Sequence, residues 1–240
     1  MHDARRALTR LRGLARLVRP GIGEDAYHEL NRRLRDAVWA LSGTRDEDVA
    51  EATLVELGEA SGVDVSAALG ALRGRTGGDG SVVSPGVEPI ARRFEEAPFR
   101  ERERVILRVS LGRALGQFRR RGDRAALEPS DERMHAWRKS ARHLRAQLRL
   151  LRGANRRVLR DLERRVDALC DTLGSLHDLA VLRGRLTDAG VFPGEIARAV
   201  EAREASLRGE AFEQWRRVRK RAHPRVGARI ARWRHATRKR

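Results

Sequence analysis

A single cysteine, Cys170, serves the whole chain. It can form no intrachain disulfide and no cysteine-based metal site. Its apolar neighbours in a helical pattern mark it as a buried filler. Lysine is nearly missing as well, with only Lys139, Lys220 and Lys239. Aromatic residues make up 4%, low for a β-sandwich and ordinary for a helical bundle. No run reaches the roughly 18 apolar residues a membrane span needs, and residues 1–20 carry arginines where a signal peptide would be continuously apolar. A cytoplasmic location without membrane contact is the expectation. The sequence also lacks H-E-x-x-H and the phosphate-binding loop G-x-x-x-x-G-K-[ST]. Zinc-finger spacing, a glycine-aromatic RNA motif and a basic zipper are missing too. The acidic group Asp46-Glu47-Asp48 opens a helix, where the positive end of the dipole accounts for it without a metal. No catalysis, cofactor or metal is expected.

Positive charge is what the chain has in excess. The 52 Lys+Arg residues stand against 33 Asp+Glu, a formal net charge of +19. Such an excess repels itself, and an anionic partner would relieve it. Nearly all of it is arginine, whose rigid fork of donors matches phosphate oxygens. The hydrophobic fraction of 40% supplies a sizeable core, and Leu, Ala, Arg and Glu are good helix formers.

Helical spacing runs through most of the chain. Over residues 2–19, Ala4, Ala7, Leu8, Leu11, Ala15 and Val18 gather on one stripe at about 100° per residue. Arg5, Arg12, Arg16 and Arg19 form a second stripe beside it, with His2 near its edge. Pro20-Gly21 reads as the stop. Further helices are predicted over 24–41 and from 45 to 60, then a short one around Val65, Ala68 and Leu69. A flexible loop follows at about 74–88. A long helix is predicted over 89–120, interrupted near Pro98, and 121–130 connects onward, with Ser130 as a cap. The second part reads as helices at 135–152, 155–173 (ending at Gly174), 177–188 and 194–221, the last stopped by Pro224. A basic tail closes the chain. Trp39, Trp137 and Trp215 are read as packing residues, and His177-Asp178 as a turn and cap pair.

The strongest signal is internal. With an offset of 133, His2 falls on His135, Arg5 on Arg138, Arg6 on Lys139, Arg12 on Arg145, Arg16 on Arg149 and Arg19 on Arg152. The shared spacing is H-x2-R-[RK]-x5-R-x3-R-x2-R. With an offset of 132, Arg45-Asp46 falls on His177-Asp178. Leucines alone recur in any helical pair; a histidine and four arginines at fixed offsets do not. The expected fold is all-α, two pseudo-symmetric four-helix halves around a basic central cleft. The halves are 1–120 and 121–240, together one domain.

The segments HDARRALTRLRGLARLVRP, LRDAVWALSGTRDEDV, HAWRKSARHLRAQLRLL and LCDTLGSLHDLAVL resemble the CHAD domain, the conserved histidine α-helical domain, from His2 to about Arg234. The resemblance implies a domain that binds inorganic polyphosphate and associates with polyphosphate granules and their proteins; the triphosphate hydrolase domain that often accompanies it is not read in this sequence, so a stand-alone domain is expected. The binding residues it implies, taken with the helix faces, are His2, Arg5, Arg6, Arg12, Arg16, Arg19, His135, Arg138, Lys139, Arg142, Arg145 and Arg149. Thr9 departs from the repeat opposite Arg142, and Arg10 opposite His143. The two histidines, His2 and His135, are expected to gain charge below about pH 6.5 and strengthen binding in acid. Nonspecific binding of DNA or RNA is the second reading, which charge alone permits.

Overall fold

The computed structural model describes residues 2–40, 45–74, 92, 103–152, 156–223 and 226. Among these, eight helices form and no strand, so the fold is all-α. They are α1 (His2–Ile22), α2 (Glu24–Ala40), α3 (Arg45–Ser61), α4 (Ser66–Arg73), α5 (Glu103–Leu127), α6 (Asp131–Leu150), α7 (Arg156–Asp188) and α8 (Gly194–Arg219). Most of the loop at 74–88, together with Pro98 and Pro224, lies outside the described residues.

Three boundaries differ from the sequence reading. Helix α1 passes through Pro20 and ends at Ile22. Its stop is Gly23, which adopts φ 86° and donates its N–H to the Arg19 carbonyl at 3.1 Å. Glycine takes this left-handed conformation without steric cost, while Pro20 gives up its own donor and crowds the Arg16 carbonyl, against the burial of Leu17 and Ile22 beside it. Helix α5 continues through residues 121–127, so the connector shrinks to Glu128–Ser130. Ser130 caps α6 as expected, its Oγ accepting from the Arg133 N–H at 3.3 Å. Helix α7 runs unbroken through Gly174. A helical glycine costs about 1 kcal/mol against alanine, less than the burial of Leu169, Leu173, Leu179 and Leu182 around it returns.

The chain divides into two compact units, each discontinuous in sequence. One comprises Met1–Leu41, Val83–Cys170 and Gln214–Arg240, the other Ser42–Val82 and Asp171–Glu213. This spatial division is distinct from the repeat boundary at 120/121.

In the first unit α1 packs against α2, α5 and α6, and α5 against α6. A helix with three neighbours buries more than one stripe. Leu8, Ala15, Leu17 and Ile22 are buried, as are Gly13 and Gly21, whereas Ala7 is exposed and Leu11 and Val18 are half-buried. Ser110 on α5 donates its buried Oγ to the Leu17 carbonyl at 2.7 Å. The scarce aromatics gather here: Trp215 meets Phe118 and Trp137 edge-on, with ring centroids 5.0 and 5.4 Å apart. Trp137 and Trp215 are buried packing residues. The indole of Trp215 lies on the backbone of α5 at Gly122, where a Cβ would come within 2.6 Å of Cζ2. That approach explains a glycine inside a long helix.

In the second unit α3 packs against α4, and Arg73 Nε donates to Glu51 Oε2 at 2.9 Å. Its other helical segments are joined by Arg183, which donates to both oxygens of Glu204 at 3.0 and 3.1 Å. Thr172 donates to Glu210 at 3.2 Å.

Candidate functional site

The site begins with two helix faces. Arg12, Arg16 and Arg19 share one stripe of α1; Arg138, Arg142, Arg145 and Arg149 share one stripe of α6, since residues three and four apart stack along a helix. The helices meet through small residues. A Cβ built on Gly13 would stand 2.8 Å from Ala146 Cβ. Gly13 and Ala146 are themselves equivalent under the 133-residue offset.

Where these helices meet, arginines surround His143. Burial is the main cause that pushes its imidazole pKa down to about 3, followed by Arg16 and Arg12 of α1, Arg121 of α5 and Arg142 of α6. Among the described residues the charged groups acting on it are arginines, and the ring is neutral at neutral pH. Arg12 is half-buried and its Nε has no hydrogen-bond partner. Burial holds its guanidinium below the ordinary value; Tyr27 opposes that shift and Arg35 of α2 adds to it. Arg16 is lowered by burial in the same way, with Tyr27 opposing and Arg12 and Arg19 contributing. Its Nη1 donates to the Arg12 carbonyl at 3.1 Å. Arg121 Nη1 donates across to the Ala136 carbonyl at 3.1 Å. Arginine stays charged through shifts of this kind, so the cluster is a set of permanent cations with donors left for an anion.

Other expected residues are partly committed within the protein. Arg19 Nε donates to both oxygens of Glu24 at 3.0 and 2.9 Å, and its guanidinium lies 4.4 Å over the Tyr27 ring. That hydrogen bonding raises its pKa. Arg149 Nη2 donates to Asp167 Oδ1 at 3.0 Å, and Arg145 Nε stands 3.9 Å from the same oxygen. Arg138 is half-buried, while Lys139 and Arg142 are exposed. The side chains of His2, Arg5 and Arg6 lie outside the described residues. His135 is lowered by burial first, then by Lys139, Arg138 and Arg142. Its protonation is therefore displaced to more acid pH than the expected value near 6.5. His177 and Asp178 lie inside α7 and half-buried, so the turn and cap reading of that pair is corrected by the unbroken helix.

Sequence reasoning missed four members of the cluster: His143, Arg121, Arg35 and Tyr27. His143 showed only as the partner of Arg10 in the repeat. Arg121 fell in a segment read as a connector. Arg35 and Tyr27 stand on α2, outside both repeated motifs.

Among the described residues no group of His, Cys, Asp or Glu is arranged to hold a metal ion, and no helix is long and apolar enough to cross a membrane. No curated protein and no solved structure matches the chain. One protein-family model, described as the CHAD domain, matches residues 1–187.

Proposed function

The chain belongs to the CHAD domain family, of which polyphosphate binding is a general property; from that premise we propose that it binds inorganic polyphosphate along the arginine rows of α1 and α6. The observation that carries the reading is the close packing of two arginine-bearing helices, α1 and α6, at Gly13 and Ala146, where the charges of Arg12, Arg16, Arg121 and Arg142 all act on His143. Folding brings these like charges together against their mutual repulsion. A chain of phosphates, each offering oxygens to guanidinium forks, would offset that cost. Arg138, Lys139, Arg145 and Arg149 extend the row along α6.

The array holds its ligand and does not cleave it. Its cations carry no proton away at neutral pH, and His143, with a pKa of about 3, is too weak a base to serve there. The same affinity would carry the protein to polyphosphate granules in the cytoplasm.

The test is competition. Labelled long-chain polyphosphate is bound at about 150 mM salt, where exposed charges are already screened beyond about 8 Å. Single-stranded DNA, duplex DNA and heparin then compete at matched charge. Polyphosphate should win by at least about tenfold, a preference of roughly 1.4 kcal/mol. Arg12→Gln with Arg142→Gln should abolish the preference and flatten the salt dependence, by about 0.7–0.9 in log–log slope per lost phosphate contact. Equal competition by duplex DNA, with the double variant weakening every ligand alike, would make nucleic acid the partner instead.

A further inference from the structure

A second cationic site stands apart from the α1–α6 rows. A pocket of about 600 Å³ is lined by Arg165 of α7, by Arg216, Arg217 and Arg219 of α8, and by Lys220 and Arg221 after it. It shares no residue with the cluster around His143. Five of its six residues lie beyond residue 187, the last matched by the family. From Arg216 to the end of the chain there is no Asp or Glu at all.

Among the described residues, the carboxylates of Asp123 and Asp161 reach some of these cations. Asp123 Oδ1 accepts from Arg219 Nε at 2.6 Å. Asp161 accepts from Arg165 at 3.0 Å and stands 4.0 Å from Arg221 and 3.5 Å from Arg164. Arg216 and Lys220 are exposed and have no acidic partner among the described residues. A purely structural account places Arg216, Arg217 and Arg219 in the last turn of α8, where they complement the helix dipole. That dipole amounts to about half a negative charge, less than the two positive charges of Arg216 and Lys220 alone.

We infer that this pocket is a second anion site, for a short run of adjacent phosphoryl groups. The volume falls in the roughly 300–1,000 Å³ range of small-ligand sites, and the described residues that line it are all basic, which favours an anionic ligand. Among the described residues no aromatic ring lines it to stack on a base. Guanidinium forks fit phosphate oxygens, and a terminal phosphate brings about 1.5–2 charges in a small volume. The site stands whether or not the α1–α6 rows hold polyphosphate.

The test uses the intact protein and inorganic tripolyphosphate. Arginine modification by phenylglyoxal is followed residue by residue by mass spectrometry. With ligand at about ten times its dissociation constant, modification of Arg216, Arg217 and Arg221 should slow by about tenfold. The exposed Arg198 and Arg203 should not change. The Arg12→Gln, Arg142→Gln protein should show the same protection, so failure of the polyphosphate reading leaves this result intact. In calorimetry, Arg216→Gln with Arg217→Gln and Lys220→Gln should remove one bound tripolyphosphate per chain. Unchanged rates at Arg216 and Arg217, or equal slowing at Arg198 and Arg203, would overturn the inference. ATP protecting at more than about tenfold lower concentration than tripolyphosphate would do so too, because the pocket would then be reading a nucleoside.

Discussion

Replacing His143 by glutamine tests the field at the arginine cluster directly. The folded protein holds this imidazole at a pKa of about 3, whereas an unfolded chain would titrate it near about 6.5. The folded state therefore favours the neutral ring. The resulting stabilisation is fully present above about pH 6.5 and is lost as pH falls through 6.5 toward 3. Between pH 7 and pH 5 the unfolded state takes up this proton and the folded state does not, a loss of about 2 kcal/mol; by pH 3 it reaches about 4 kcal/mol. Urea unfolding of both proteins at pH 7, 6 and 5 measures it. His143→Gln removes the titration and leaves all other groups in place, so its stability should fall about 2 kcal/mol less than the wild type's between pH 7 and 5. Parallel losses in the two proteins would refute the argument, showing that His143 is neither buried nor faced by the four arginines as described.

Gly13→Ala places a methyl 2.8 Å from Ala146 Cβ, and the two helices must separate; a cost of about 1–3 kcal/mol is expected in urea unfolding. Gly122→Ala pushes a methyl to within 2.6 Å of the Trp215 ring. It should cost a similar amount, about 1–3 kcal/mol, and alter tryptophan near-ultraviolet circular dichroism. Asp167→Asn removes the carboxylate that Arg149 donates to at 3.0 Å. Polyphosphate binding should tighten by about twofold to tenfold at low salt and gain up to about 0.9 in salt slope, read by titration at several salt concentrations.

Helix positions were legible because the apolar spacing on α1, α2 and α6 is regular and the helix-forming residues are abundant. Stops were harder. Pro20 and Gly174 carry the usual terminating residue types, yet α1 continues to Ile22 and α7 to Asp188. Tertiary burial around them outweighs local preference. Within the candidate site, the repeat drew attention to α1 and α6, which pack against each other at Gly13 and Ala146, because recurrence at a fixed offset survives in the sequence. It could not show that Glu24 and Asp167 pair with Arg19 and Arg149. Nor could it show that Arg121 and Arg35 join the cluster, since those meetings depend on how helices far apart in sequence pack. His143 was hidden for the same reason: its importance lies in what surrounds it, not in any motif it belongs to.

The row on α6 has one further consequence. Arg138, Arg142, Arg145 and Arg149 recur at steps of about 4.5–6 Å along the helix. On the proposed ligand, a row of closely spaced cations would meet a row of equivalent anions, and more than one alignment would be open. The bound chain keeps freedom to shift along its own length. Each doubling of the available alignments adds about 0.4 kcal/mol of purely statistical affinity, so length itself becomes a quantity the protein senses. Escape then proceeds by creeping toward a free end rather than by letting go at once, and residence time lengthens with every unit added to the chain.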